Sequence, residues 1–296
     1  MNYYDEIKNK LIDNEVYSKV KDYSKEIYRV RTYFEIGKLL NEAGKHYGNN
    51  IIEKYAEKLV EEVGKKYNKR TLFRMKQFYI VFSNEKVSPL GTQLTWSHYR
   101  ALLPLKDYEE INYYIQISIA NHLSKTELEQ KIKSKEYQRL DQNTRNKLIM
   151  KEKVSIKELV PNPIIIKNNH NELITTEKVL HKIIMDDIES FMNELGNNFC
   201  FVGSEYKIKI GDRYNYIDLL LYNIKYHCYI VIELKVTEYK AEYVGQILKY
   251  MNFIDKNIKS DIDDETVGII ICKKENKYVI EYCSDDRIIA REYKIV

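Results

Sequence analysis

The sequence predicts an α+β chain of two domains, an all-α first half joined to a mixed α/β second half. Three observations predict this. The 296 residues are about twice an ordinary domain. Apolar residues recur with a helical period through most of the first half, and the period drops to two in the second.

In chain order, helices are expected over 14–44, 51–64, 68–82, 97–104, 107–121 and 124–146. IIEKYAEKLVEEVG (51–64) aligns Ile52, Tyr55, Ala56, Leu59, Val60 and Val63 in one stripe and stops at Gly64. NKRTLFRMKQFYIVF (68–82) sets Leu72, Met75, Tyr79 and Phe82 on one face behind Asn68 as a cap. Two helices joined by a short Gly-containing turn outline a helix-turn-helix. At 150–176 the periodicity fails and PNPIIIKNNHNELITT, with two prolines, reads as a connector. The division is therefore 1–150 helical domain, 151–175 connector and 176–296 second domain. That domain opens on a helix over 176–196 ended by Gly196. YKIKI, a GDRYN turn, YIDLLLY and CYIVIELKV follow as three strands, then a helix at about 240–255 and two strands, TVGIIICK and KYVIEYC.

Composition narrows the function classes. Residues 1–150 hold 27 Lys and Arg against 20 Asp and Glu, a net +7, whereas 151–296 hold 21 against 24, a net −3. A basic half beside a mildly acidic half suits one module that holds a polyanion and one that collects cations. The N-terminus MNYYDEIKNK has no signal or transit pattern and no apolar run reaches 18 residues, so a cytoplasmic protein without a membrane anchor is expected. Cys200, Cys228, Cys272 and Cys283 lack CxxC spacing and read as buried free thiols. The 27 Tyr are spread along the chain and reflect compositional bias. No GxxxxGK[ST] occurs, which excludes an ATP-driven motor of that type. Trp96-Ser97-His98 has no orienting acid in view and is read as structural.

The chemistry is concentrated in IDLLLYNIKYHCYIVIELKV (217–236). Strand alternation sends Tyr229, Val231, Glu233 and Lys235 to one face and Ile230, Ile232, Leu234 and Val236 to the other. A hairpin would bring Asp218 of the preceding strand beside Glu233. Two adjacent carboxylates repel unless a cation lies between them, and a hard divalent ion is the natural occupant. With a lysine at hand, such a site suits phosphodiester hydrolysis: carboxylates fix Mg²⁺ or Mn²⁺, and the lysine orients water and offsets charge at phosphorus. A solvated Glu–Lys strand pair is the bland alternative. The next helix weighs against it, since AEYVGQILKYMNFID packs through Val244, Ile247, Leu248 and Met251 while Gln246 and Tyr250 lie one turn apart on a neighbouring face.

The whole array, D-x14-E-x-K-x10-Q-x3-Y, resembles the PD-(D/E)XK nuclease superfamily and the Q-x3-Y helix of its RecB-like members. FVGSEYKI, IDLLLYN, YIVIELKV, YVGQILKYMNF and VGIIICK resemble the nuclease domain of the YhcG-type family, and KRTLFRMKQFY, QLTWSHYRALL and LSKTELEQKI its N-terminal domain. The resemblance covers nearly the whole chain. It implies a winged-helix-like DNA-binding domain and a restriction-endonuclease-like domain, hence a Mg²⁺-dependent endonuclease acting on nucleic acid, DNA ahead of RNA. By position, Asp218 and Glu233 become metal ligands, Lys235 the catalytic lysine, and Gln246 and Tyr250 support on the helix. The departure lies upstream, where Leu180-His181 stands in place of the family's Leu-Glu. Glu177, Glu189 and Glu194 are nearby but out of clear register, and His181 is read as a surface residue ahead of a replacement for that acid. In the helix-turn-helix, Lys65, Lys66, Lys69, Arg70, Arg74, Lys76 and Gln77 lie away from the apolar stripe and are expected to contact nucleic acid. The competing class is a non-enzymatic DNA-binding or assembly module on a nuclease fold, which would tend to lose the lysine or an acid. Association into a homodimer is left open by the sequence.

Overall fold

A computed structural model describes residues 2–18, 24–48, 50–87, 94–150, 152–196, 198–283 and 285–296. Contacts divide the chain into two compact units, Met1–Lys133 and Ser134–Val296. The first is helical: α1 (Tyr3–Tyr17), α2 (Ser24–Tyr47), α3 (Asn50–Glu62), a 3₁₀ turn (Lys65–Tyr67), α4 (Lys69–Phe82), α5 (Trp96–Leu102), α6 (Tyr108–Ala120) and α7 (Lys125–Lys133). Among the described residues of this unit there is no strand. The helix expected over 14–44 spans parts of α1 and α2, and its residues 19–23 lie outside the described ones, as does Gln93 of the QLTWSHY motif.

Local chemistry sets the helix-turn-helix. Asn68 caps α4 by accepting the Thr71 N–H, and Gly64, at φ 155°, takes the backbone conformation that ends the preceding segment. Leu72, Met75, Phe78 and Phe82 face the core, where Phe78, Phe82, Tyr99 and Trp96 pack ring on ring at 5.0–5.2 Å. Helix α2 crosses α4 at Gly37, where a Cβ would overlap the Met75 carbonyl. His98 is structural: its Nδ1 lies 2.8 Å from Thr95 Oγ1 and its Nε2 2.9 Å from the Leu123 carbonyl.

The second unit begins with three short helices, α8 (Glu136–Arg139), α9 (Gln142–Ile149) and α10 (Ile156–Leu159). They are followed by β1 (Ile164–Ile166), α11 (Glu177–Asp186), α12 (Ile188–Leu195), β2 (Phe199–Ile210), β3 (Arg213–Asn223) and β4 (Cys228–Leu234). The unit ends with α13 (Ala241–Asn257), β5 (Val267–Cys272), α14 (Lys277–Cys283) and β6 (Ile288–Ile295). One six-stranded mixed sheet runs in the order β1-β6-β5-β4-β3-β2, antiparallel across β2–β3–β4 and parallel across β4–β5–β6–β1. Its two faces bury separate cores. Leu219, Leu221, Ile230, Ile232, Ile269 and Ile271 pack with Leu180, Ile183, Phe191 and Leu195 of α11 and α12. Leu220, Val231 and Ile270 pack beneath α13, which sits so close to β5 that a Cβ on Gly268 would lie 2.7 Å from Met251 Sδ.

Several expectations give way here. The helix read over 124–146 is three pieces, and that read over 176–196 breaks at Asp187, whose side chain starts α12 by accepting the Ser190 N–H. KYVIEYC is helix α14, started by the Asn276 side chain on the Val279 N–H, and the sheet position beside β5 is taken by β6. Cys228 and Cys272 are buried thiols, but Cys200 is exposed; the side chain of Cys283 lies outside the described residues. Residues 134–175 belong to this unit: Ile156, Val160, Ile164 and Ile166 enter the core, and Arg291 Nε donates to the Val160 carbonyl at 2.9 Å. No helix among the described residues is long and apolar enough to cross a membrane.

Candidate active site

The β3–β4 ladder runs from Asn223↔Cys228 to Leu219↔Ile232, so Asp218 and Glu233 are the next facing positions, where the ladder ends. Regular alternation also breaks there, because Ile217 and Leu220 both enter the core beneath α13. The Asp218 carboxylate continues the pairing in place of backbone, Oδ2 accepting the Leu234 N–H at 2.8 Å. Beyond it Lys235 closes the parallel side through its own N–H to the Ile271 carbonyl. The three charged groups thus stand at one end of the sheet on rigid backbone.

Helix α13 supplies the lid over Glu233. Val244, Ile247, Met251 and Ile254 hold it to the sheet, which leaves Gln246 to donate from Nε2 to Glu233 Oε1 at 2.6 Å while reaching the Tyr250 hydroxyl at 3.3 Å. The same Oε1 accepts from Lys235 Nζ at 2.8 Å. The ammonium also lies 3.4 Å from Glu177 Oε2 and 5.0 Å from the centre of the Tyr243 ring. Glu177 is the first residue of α11, whose start is fixed by Thr176 accepting the Val179 N–H.

The electrostatics are unbalanced. Glu233 is buried, and its second oxygen, Oε2, has no hydrogen-bond partner among the described residues. Burial, then the charge of Asp218, push its carboxyl up to about 7. Burial likewise raises Asp218, with Glu177 adding to the rise and the Leu234 N–H, Lys235 and His181 opposing it. For Lys235, burial alone would lower the ammonium; the Glu233 contact and the charges of Glu233, Glu177 and Asp218 outweigh it and raise it. The lysine is therefore a fixed cation near neutral pH.

This donor set fits a hard divalent cation. Two adjacent carboxylates, one with an unspent buried oxygen, gain most from a charge placed between them. Among the described residues no group of three or more His, Cys, Asp or Glu is gathered as a metal site, so two carboxylates would share the ion with water or substrate oxygens. His181, read from sequence as a surface residue, is half-buried; its Nε2 is sealed from solvent without a hydrogen-bond partner among the described residues. Glu189 is exposed, and Glu194 pairs with Arg139.

In the first unit, Lys65 and Arg70 are exposed and Arg74 and Lys76 half-buried. Lys66 pairs with Glu15 and Lys69 with Glu53, each at 2.6 Å, the lysines exposed and the glutamates half-buried. Gln77 donates to the Leu103 carbonyl at 2.8 Å, tying α4 to the end of α5. Burial and the like charges of Arg70 and Arg100 lower Arg74, so Arg100 of α5 joins the α4 arginines. Neither Arg100 nor Glu177 is marked by sequence spacing, since both arrive from separate helices; the caps at Thr95 and Thr176 were the available signals.

The chain matches two family models, "YhcG PDDEXK nuclease domain" over residues 159–296 and "DUF1016 N-terminal domain" over residues 9–139. It is similar to the Escherichia coli (strain K12) protein named "Putative nuclease YhcG", 21% identical over 309 residues that cover 89% of this chain and 82% of the relative. Among solved structures it is similar to a chain of an EndoMS–dsDNA complex, with 18% identity, 43% of this chain and 48% of that one covered, and a TM-score of 0.29. Another is a repair endonuclease from Pyrococcus abyssi, with 14% identity, 43% and 49% covered, and a TM-score of 0.28. The chain spans about half the length of these two structures. With one model on each unit and the Asp-Glu-x-Lys array inside the second, the chain belongs to the YhcG-type family of PDDEXK nuclease-domain proteins.

Proposed function

We propose that this protein is an endonuclease that hydrolyses phosphodiester bonds in DNA with Mg²⁺ or Mn²⁺, using Asp218, Glu233 and Lys235 and gripping DNA through the basic face of α4. The observation that carries the reading is the buried, unpartnered Glu233 Oε2 beside a second carboxylate. A structural ion pair has no use for that oxygen; a cation-binding site does.

Asp218 and Glu233 would hold the ion, which when bound polarises the scissile phosphate and eases deprotonation of water. Gln246 fixes the Glu233 carboxylate through Oε1, and Tyr250 steadies Gln246. Lys235, kept protonated, acts as a hydrogen-bond donor that orients the attacking water and offsets charge on the phosphoryl oxygens, not as a base. Glu177 is a positioning residue for that ammonium. On the DNA side Arg70, Arg74 and Arg100 have no ion-pair partner among the described residues, whereas Lys66 and Lys69 would exchange weak surface pairs for phosphate contacts.

The test is cleavage of closed circular DNA, single strands and RNA with Mg²⁺, Mn²⁺ or EDTA. Nicking of closed circles that needs the metal is expected. Wild-type melting indifferent to Mn²⁺, together with cleavage by Lys235→Ala, would overturn the assignment. Metal-dependent melting without cleavage of any substrate would instead favour a binding module. Replacing Arg70, Arg74 and Arg100 with Ala should flatten the log-affinity against log-salt slope for duplex DNA by roughly 0.9 per lost contact.

A further inference from the structure

The hairpin that carries Asp218 continues past the active site into a surface with its own pattern. In the β2–β3 ladder, Lys207 faces Tyr216 and Lys209 faces Tyr214. Facing residues of an antiparallel ladder share one side, so two lysines and two tyrosines form a single four-residue patch. The intervening positions turn the other way: Ile208 is buried beneath α13, with Tyr206 and Ile210 packed against the same core. The hairpin is thus anchored on one side and open on the other. On the open side Tyr214 is 58% and Tyr216 52% exposed, and both lysines are exposed. Lys207 Nζ stands over the Tyr214 ring at 3.9 Å.

We propose that this face is a stacking platform for unpaired bases of the substrate strand, next to the cleavage site. The inference rests on the nuclease reading above and adds a preference for single-stranded nucleic acid at this subsite. β propensity accounts for one tyrosine on an exposed strand, but not for two half-exposed rings on the strand of the candidate metal ligand, each facing a lysine of the neighbouring strand. Tyr216 is two residues from Asp218, about 7 Å along the strand. Aromatic rings exposed on a sheet surface stack unpaired bases, and Lys207 and Lys209 supply cations for the connecting phosphates. A duplex hides its base faces, so the rings have nothing to stack on in paired DNA. Ring loss should therefore separate the two substrates.

The experiment measures anisotropy of fluorescein-labelled oligo-dT and of a blunt duplex of equal length, in EDTA and again in Ca²⁺. Tyr214→Ala/Tyr216→Ala should weaken oligo-dT binding about tenfold or more while changing duplex binding by less than about twofold. Tyr214→Phe/Tyr216→Phe, which keeps the rings and loses the hydroxyls, should restore oligo-dT binding to within about twofold. An alanine variant that binds oligo-dT like wild type, or a phenylalanine variant that fails like the alanine one, overturns the platform while leaving the nuclease reading intact. Wild-type protein that binds neither probe in either condition removes the nucleic-acid reading and the platform with it.

Discussion

Two buried charge pairs of the second unit are built to opposite rules. Arg139 and Glu194 are both nearly sealed from solvent, and their polar atoms are engaged: Arg139 donates to the Ser134 and Pro163 carbonyls and to both Glu194 oxygens, while Glu194 Oε1 also accepts the Ile165 N–H at 2.9 Å. At Glu233 and Lys235 two carboxylates crowd one ammonium, and one carboxylate oxygen accepts from no donor among the described residues. A closed pair is part of the scaffold, because a fully satisfied network gains nothing from a ligand. The open one is poised to receive charge. Burial alone does not tell them apart, since it raises both glutamates; the accounting of partners does.

Substitutions can break or sharpen this contrast. The largest effect belongs to the closed pair: Arg139→Ala strands a buried carboxylate and should cost about 3–5 kcal/mol of stability, read by denaturant unfolding, with no dependence on metal. Lys235→Ala should leave the melting temperature nearly unchanged in metal yet lower the cleavage rate by about 10²–10³, the usual loss for a donor aimed at transition-state charge. If it unfolds the domain as Arg139→Ala does, the two pairs are alike and the contrast fails. Asp218→Asn should keep the metal-free melt and abolish its rise with Mn²⁺, a rise worth roughly 2.7 kcal/mol when the ion is at a hundredfold its Kd. The smallest effect is on pH. Glu233, ordinarily near 4.5, is pushed up to about 7 in the folded protein, so the native state holds a proton that the unfolded chain has released. Its contribution to metal-free stability is greatest below 4.5 and declines as pH rises toward 7. Melting of wild type against Glu233→Gln across that window measures it; parallel curves would refute the open-pair description.

Sequence made the site more legible than the fold around it. Asp218, Glu233, Lys235, Gln246 and Tyr250 converge because strand and helix periods over a single hairpin and its following helix are local rules, and α4 with its Asn68 cap follows for the same reason. What escaped depends on distant partners. KYVIEYC alternates like a strand, but the edge beside β5 is taken by Ile288–Ile295, and the segment folds as the helix its Asn276 cap permits. The apolar content of α1 is thin, yet Ile7 and Leu11 are fully buried by other helices. Glu177 lies 58 residues from Lys235 in sequence, and no periodicity within one element states where another helix begins in space.

The Asp218 carboxylate that serves as a rung between β3 and β4 makes the backbone itself an observer of the site. The Leu234 amide nitrogen lies 2.8 Å from that oxygen, so the resonance of its proton should shift whenever the carboxylate is protonated, freed or drawn toward a cation. Its exchange with solvent deuterium should slow when an ion pins the carboxylate in place. One amide on a buried strand thereby becomes a built-in gauge of occupancy, readable in the resting protein without substrate and without turnover.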